Sequence, residues 1–208
     1  MEAIVSGLEF FHKGGMIMYV LALCSLFSFA IAIERWNYFQ KNDSGRAFAK
    51  EFTAFLMADK AEEALRLAQN TKGALAGILA AACGMRREEN PSGFMEVQSG
   101  VALSHLRQRL YYLNVIVTMA PLLGLLGTIS GMISAFSVFN IESGQSTAIT
   151  GGVGEALIAT AMGLCVAIIS LAIHAYFTQR LENIVTDMEQ CFSVVETKHS
   201  LLGKKAGA

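Results

Sequence analysis

Glu155, Thr128 and Thr160 are polar side chains that lie inside two long apolar stretches of this sequence. Residues 113–139 and 153–177 are each longer than the roughly 20 apolar residues that cross the hydrocarbon core of a bilayer. Glu155 is the one side chain in either stretch that is charged at neutral pH. Because a carboxylate at membrane depth is costly, its presence there suggests a function. Thr128 and Thr160 add hydroxyl groups, which both donate and accept hydrogen bonds. One acid and two hydroxyls in this setting indicate a polar path through lipid.

The two threonines are expected at similar depth. Thr128 lies eleven residues before the end of the first stretch and Thr160 seven residues after the start of the second, so both fall roughly 10–17 Å from the same membrane edge. They could therefore form one ring of hydroxyls, or each could simply bond to the carbonyl one turn back. Glu155 lies about 140° around the helix from Thr160. Its side chain would therefore reach the path only from one side, or it would form a contact between subunits. A third possibility is that the carboxylate lies in the first turn of the helix, where the positive end of the helix dipole stabilises it.

Small residues recur along both stretches at spacings that let helices approach closely. We expect these faces to pack helices and to hold copies of the chain together as a homo-oligomer, because one hairpin cannot enclose a pore. Pro121 removes a hydrogen bond inside the first stretch and should bend that helix. The small residues predicted to pack are Gly124, Gly127, Gly131, Ala159, Gly163 and Ala167.

Composition favours a helical membrane protein. Of the 208 residues, 53% are hydrophobic and only 16% are charged, which is too apolar for an ordinary soluble domain. A net charge of −1 gives no reason to expect nucleic acid as a partner. The four cysteines and four histidines have no metal-ligand spacing, and no nucleophile elbow, phosphate loop or dinucleotide-binding motif is present. We therefore predict no metal, no cofactor and no enzymatic activity.

The remaining chain predicts an all-α protein with three spans. Residues 1–15 form an amphipathic lead and residues 16–36 a first span; a cleaved signal peptide is the alternative for this part. Residues 37–112 are a helical cytoplasmic region, in which Ser92 is expected to cap a helix that runs unbroken into the second span (113–139). A periplasmic link (140–152) leads to the third span (153–177). That span is expected to continue as a cytoplasmic helix and tail (178–208), so that the second and third spans both extend into a cytoplasmic helical bundle.

Basic residues set the expected orientation. Lysines and arginines cluster after the first span, before the second and after the third, whereas the predicted link at 140–152 has none. Positive charge in short loops marks the cytoplasmic side. We therefore expect an external N-terminus, a cytoplasmic C-terminus and a cytoplasmic 37–112 region.

The segments APLLGLLGTISGM (residues 120–132) and GEALIATAMGLCVAI (residues 154–168) resemble the ExbB/TolQ/MotA family of proton-channel subunits. Three spans point to its ExbB/TolQ branch, with an ExbB-like protein favoured. The resemblance implies a pentamer in the bacterial inner membrane, with single-span segments of an ExbD/TolR-type partner in its pore. The partner's aspartate would carry the proton and the assembly would energise a TonB- or TolA-type protein for outer-membrane transport. Thr128, Thr160 and Glu155 match the family's pore threonines and channel-mouth glutamate.

Three other readings remain open at this point. A TolQ-like subunit would serve envelope integrity and cell division. A structural membrane scaffold would explain the small residues but leaves the acid and the paired threonines without a purpose. A membrane enzyme would need several acids, histidines or a nucleophile and base near one leaflet, and the second and third spans contain only Glu155 and His174, near opposite ends.

Overall fold

The computed structural model describes residues 15–85, 90–141 and 146–205, and every regular element among them is an α-helix. This confirms the predicted all-α class. The lead predicted for residues 1–15 falls, apart from Gly15, outside the described residues. The helices are α1 Gly15–Asn42, α2 Arg46–Met57, α3 Ala61–Asn70, α4 Ala74–Gly84, α5 Pro91–Arg107, α6 Leu110–Ile141 and α7 Ser146–Lys205.

Three of these helices, α1, α6 and α7, contain a stretch long and apolar enough to cross a membrane. A helix satisfies its own backbone hydrogen bonds, which is why apolar stretches of this length adopt it in lipid. Their outward side chains are also apolar, with Leu23, Leu26 and Leu122 each about two-thirds exposed. Such surfaces are costly in water and favourable in hydrocarbon. The three helices are therefore long and apolar enough to serve as the predicted spans.

The chain divides into two compact units. The first comprises the described residues of Met1–Ile33 and Arg109–Tyr176, and the second comprises the described residues of Glu34–Gln108 and Phe177–Ala208. In the first unit, α1 packs against α6 and α7. Its buried core consists of Leu21, Ile116, Ala120, Val166 and Ala167.

The second unit contains α2 to α5 with the ends of α1 and α7. In α2 the apolar residues Phe48, Phe52 and Leu56 recur at helical spacing, and all three are buried. Phe39 from α1 is fully buried against Phe177 from α7, with ring centroids 5.4 Å apart. This part of the chain forms its own hydrophobic core.

The predicted start of α5 is wrong by two residues. Asn90, not Ser92, caps the helix, because its side-chain oxygen accepts a hydrogen bond of 3.1 Å from the Gly93 amide. Pro91 then occupies the first turn, where its missing N–H and fixed φ angle cost nothing.

The predicted continuity of α5 with the second span is also wrong. The helix ends at Arg107, and Arg109 takes the left-handed conformation with φ 70° before α6 begins at Leu110. That conformation costs roughly 1–2 kcal/mol for a residue with a side chain. Just before this residue, the guanidinium of Arg35 donates to the carbonyls of His105 at 3.0 Å and Gln108 at 2.9 Å, which satisfies two acceptors at the end of α5.

The third span does continue without a break, since α7 is one helix of 60 residues. Helical structure also extends into the predicted link from both sides, because α6 ends at Ile141 and α7 begins at Ser146. In the second unit α7 is tied to the end of α1 and to α2 by polar contacts. Arg180 pairs with Asp43 at 3.1 Å, and the Cys191 thiol donates weakly to the Ala49 carbonyl at 3.7 Å.

Candidate functional site

The helices α6 and α7 meet backbone to backbone along a line of small residues, which we call the hairpin seam. A Cβ atom added to Gly163 would lie 2.6 Å from the Ala120 carbonyl oxygen, and one added to Gly124 would lie 3.0 Å from the Thr160 Cα. An ordinary contact of a Cβ begins at about 3.4 Å. The two backbones are therefore too close for a Cβ at Gly163, and at Gly124 a Cβ would be tighter than nine in ten real Cβ contacts.

The remaining predicted packing residues belong to the same part of the chain. A Cβ on Gly127 would lie 2.5 Å from the Ala159 Cβ, and one on Gly131 would lie 3.2 Å from the Gly152 carbonyl oxygen. Ala167 is buried in the core that α1 completes. The seam is thus filled within one chain. The expectation that these faces join separate copies needs correction, because a second chain cannot reach glycines already covered by the chain's own helix.

Thr160 projects from α7 toward α6. Its hydroxyl oxygen donates a hydrogen bond of 3.2 Å to the Gly124 carbonyl, 36 residues away in the sequence. Gly124 makes this contact possible, since it has no side chain to keep the two backbones apart. The bond crosses the seam, so Thr160 does not follow the simpler alternative of bonding one turn back in its own helix.

Thr128 follows that simpler alternative, because its hydroxyl donates to the Leu125 carbonyl at 2.7 Å. Thr160 is level with Gly124, and Thr128 lies one helical turn, about 6 Å, further along α6. In both threonines the hydroxyl proton is already committed to a carbonyl. The oxygen lone pairs remain able to accept a hydrogen bond, and each hydroxyl oxygen has two.

The backbone of Glu155 lies well inside a helix. Since α7 begins at Ser146, nine residues precede Glu155, a distance of about 14 Å along the axis. The stabilising effect of a helix dipole falls off within the first turn. The alternative in which Glu155 caps the first turn therefore has no basis. The expected contacts of its side chain lie outside the described residues.

Pro121 lies within α6, and the helix continues through it. The bend expected there stays a prediction.

Two polar contacts were missed by the sequence analysis. Ser28 of α1 and Ser170 of α7, both fully buried, share a hydrogen bond of 2.8 Å inside the first unit. Arg35 is only 2% exposed, and besides the two carbonyls of α5 it contacts both carboxylate oxygens of Glu34 at 2.6 Å. The residue types gave a hint, since hydroxyls in an apolar span and a charge at its end need partners. Their partners are 142 and about 70 residues away, which no local pattern reveals.

The second unit contains a buried acid that the sequence analysis did not single out. Asp187 is 7% exposed, and burial raises the pKa of its carboxyl group, an effect that the nearby Arg46 partly opposes. Burial also raises the pKa of the Cys191 thiol to about 11, which keeps it protonated and unreactive. Among the residues with described side chains, no group of His, Cys, Asp and Glu is arranged to hold a metal ion.

The sequence matches a protein-family profile and several known proteins. The sequence profile described as the MotA/TolQ/ExbB proton channel family matches residues 56–190. A biopolymer transport protein ExbB homolog of Methanothermobacter thermautotrophicus is 30% identical over 186 residues, which is 88% of this chain and 66% of that protein. Two ExbB-like biopolymer transport proteins of Synechocystis, numbered 1 and 3, are each 32% identical. They match over 80% and 76% of this chain and over 68% and 78% of their own lengths. The chain thus spans about two-thirds of the length of the first two relatives.

Proposed function

Since this chain belongs to the MotA/TolQ/ExbB proton channel family, we propose that it is the channel subunit of a motor driven by the proton motive force. It acts with a single-span partner of the ExbD/TolR type, whose acidic residue carries the proton, and together they energise a TonB- or TolA-type protein. The relatives support the ExbB-like form of this proposal, because each is named as an ExbB-type biopolymer transport protein. Outer-membrane transport is therefore the favoured output.

The observation that carries the proposal is the state of the two threonine hydroxyls. Thr160 donates to Gly124 and Thr128 to Leu125, so both present acceptor oxygens within about one helical turn of each other. A protonated carboxyl group of the partner can donate to such an oxygen, and so can water. An ionised carboxylate can only accept. The two threonine hydroxyls therefore favour a partner whose carboxyl group is protonated at this depth. A proton carrier must be in this neutral form while it crosses the driest part of the membrane.

A helical hairpin with one further span cannot by itself enclose a pore, so several copies are needed. Apolar side chains on the outer surface of α6 and α7, such as Leu126 and Leu157, are more than half exposed. These surfaces, and not the hairpin seam, are available to neighbouring copies. By the family resemblance the assembly is a pentamer around the partner.

Charge supports the orientation. Lys41, Arg46, Lys50 and Arg180 all lie in the second unit, whereas no lysine or arginine lies between residues 110 and 179. By the positive-inside rule the second unit is cytoplasmic and the N-terminus is external, in a bacterial inner membrane. We place the membrane spans at residues 16–36, 113–139 and 153–177.

The test is proton flux in inside-out vesicles that contain the chain with its single-span partner, followed with a pH-sensitive dye. Thr160→Val keeps the shape and loses the hydroxyl, so we expect flux to fall at least tenfold. Thr160→Ser restores a hydroxyl and should restore flux, and the oligomer mass measured for each variant controls for assembly. Wild-type flux from a correctly assembled Thr128→Val, Thr160→Val double variant would refute the mechanism.

A further inference from the structure

The surface of α6 between residues 113 and 133 divides into three strips. At 100° per residue, one strip is buried and carries Ile116, Ala120 and Gly124. A second strip is exposed and wholly apolar, and its members lie within about 80° of one another. They are Met119, Leu122, Leu126, Ile129 and Ile133. Lipid or an apolar helix can cover this strip without any polar cost.

The third strip is polar. Asn114, Pro121 and Thr128 follow each other at intervals of seven residues, which turns the direction by only about 20° per step. Thr118 lies about 40° to the other side of Asn114, and both side chains are exposed. The polar residues of α6 from 114 to 128 fall in this strip together with Pro121, Leu125 and Met132, whereas Ser130 lies beside the apolar strip. We call it the polar strip.

The polar strip is better matched by water than by lipid. An amide without a hydrogen-bond partner in an apolar medium costs roughly 2–7 kcal/mol. The position of Asn114, four residues from the start of α6, would alone be explained by the membrane surface. Thr118 is a turn deeper and points the same way, and Thr128 is about 21 Å beyond Asn114. A shared direction over that length is not what scattered surface residues would give.

We infer that the polar strip lines a water path from Thr128 to the amino-terminal end of α6, with Asn114 and Thr118 as further lining residues. Like Thr128, Thr118 donates to its own helix, at 2.9 Å to the Val115 carbonyl, and leaves its lone pairs to accept from water. The inference rests on the proposed function, since it extends the same proton path. In the proposed orientation this end opens toward the cytoplasm.

Thiol labelling tests the path directly. Thr118→Cys and Met119→Cys differ in depth by about 1.5 Å but point about 100° apart, so each is the control of the other. The native residues Cys24, Cys83, Cys165 and Cys191 are first replaced by alanine, and the complex with its partner is kept in inside-out vesicles. A membrane-impermeant maleimide should react at least about ten times faster at position 118, because thiolates form only where water reaches. Equal rates, or faster reaction at position 119, would overturn the inference.

Proton flux gives the second measurement. Thr118→Val should lower flux at least fivefold, whereas Ser130→Ala, which removes a hydroxyl about 160° away from Thr128, should leave it unchanged. If the wild-type complex carries no protons, the proposed function fails, and the labelling ratio still decides whether the strip is wet. If the wild-type complex conducts and Thr118→Val conducts equally well, the path does not run along this strip.

Discussion

The substitution Gly163→Ala is the sharpest test of the close packing between α6 and α7 at the hairpin seam. The new Cβ would lie 2.6 Å from the Ala120 carbonyl oxygen and 3.0 Å from the Gly124 Cα. Both are backbone atoms, which cannot swing aside as a flexible side chain can. To restore an ordinary contact of about 3.4 Å, α6 and α7 must separate by several tenths of an ångström. Overpacking of this kind costs about 1–3 kcal/mol.

Gly154→Ala is the matched control. It lies in the same helix, but nothing stands within 4 Å of the added Cβ. Both substitutions gain the same helix propensity, up to about 1 kcal/mol, so their difference isolates the steric cost at the seam. For a chain of this size, 1–3 kcal/mol corresponds to a difference of roughly 2–12 °C in the midpoint of unfolding. The Gly163 variant should be the less stable one.

The assay is thermal unfolding of both variants in the same detergent, followed by circular dichroism, with the oligomer mass measured beside it. If Gly163→Ala unfolds at or above the temperature of Gly154→Ala, a Cβ at the seam has no steric cost and the close packing described here is refuted. That packing is equally refuted if Gly163→Ala dissociates the oligomer while the stability of the separated chain is unchanged. That second result would show that Gly163 packs against another copy of the chain and not within its own hairpin.

Three further predictions concern other parts of the chain. Arg35→Met leaves two carbonyls of α5 without their donor and should cost about 3 kcal/mol, whereas the exposed Arg66→Met should cost almost nothing; chemical denaturation compares them. Burial raises the pKa of Asp187, so the folded protein holds this proton more tightly than the unfolded chain does. Its contribution to stability is present at low pH and is lost as the pH rises through the folded pKa; Asp187→Asn should be more stable than wild type at pH 7, with a smaller difference near pH 4. Topology reporters fused after Gln145 should read as external and those near Lys72 as cytoplasmic, and a periplasmic signal at Lys72 would contradict the proposed orientation.

The three spans and the family motifs could be predicted from the sequence, because both depend on local information. A bilayer demands a minimum length of apolar helix whatever the rest of the chain does, so α1, α6 and α7 follow from composition alone. The continuity of α7 also follows, since its apolar spacing never lapses after Phe177. The candidate residues Thr128, Thr160 and Glu155 were chosen in the same way, as polar groups where lipid makes them expensive, and their roles stay predictions.

What the candidate residues touch was decided only by the tertiary structure. Glycine spacing predicts close packing but not the partner, and the pairing of α6 with α7 assigned that packing to one chain instead of to a subunit interface. The same pairing gave the Thr160 hydroxyl its acceptor at Gly124. The Arg35 guanidinium donates to two carbonyls at the end of α5, just before the break, from about 70 residues away in the sequence. The spacing of apolar residues shows which side of a helix is apolar. It does not show which other helix packs against that side, and these contacts depend on that helix.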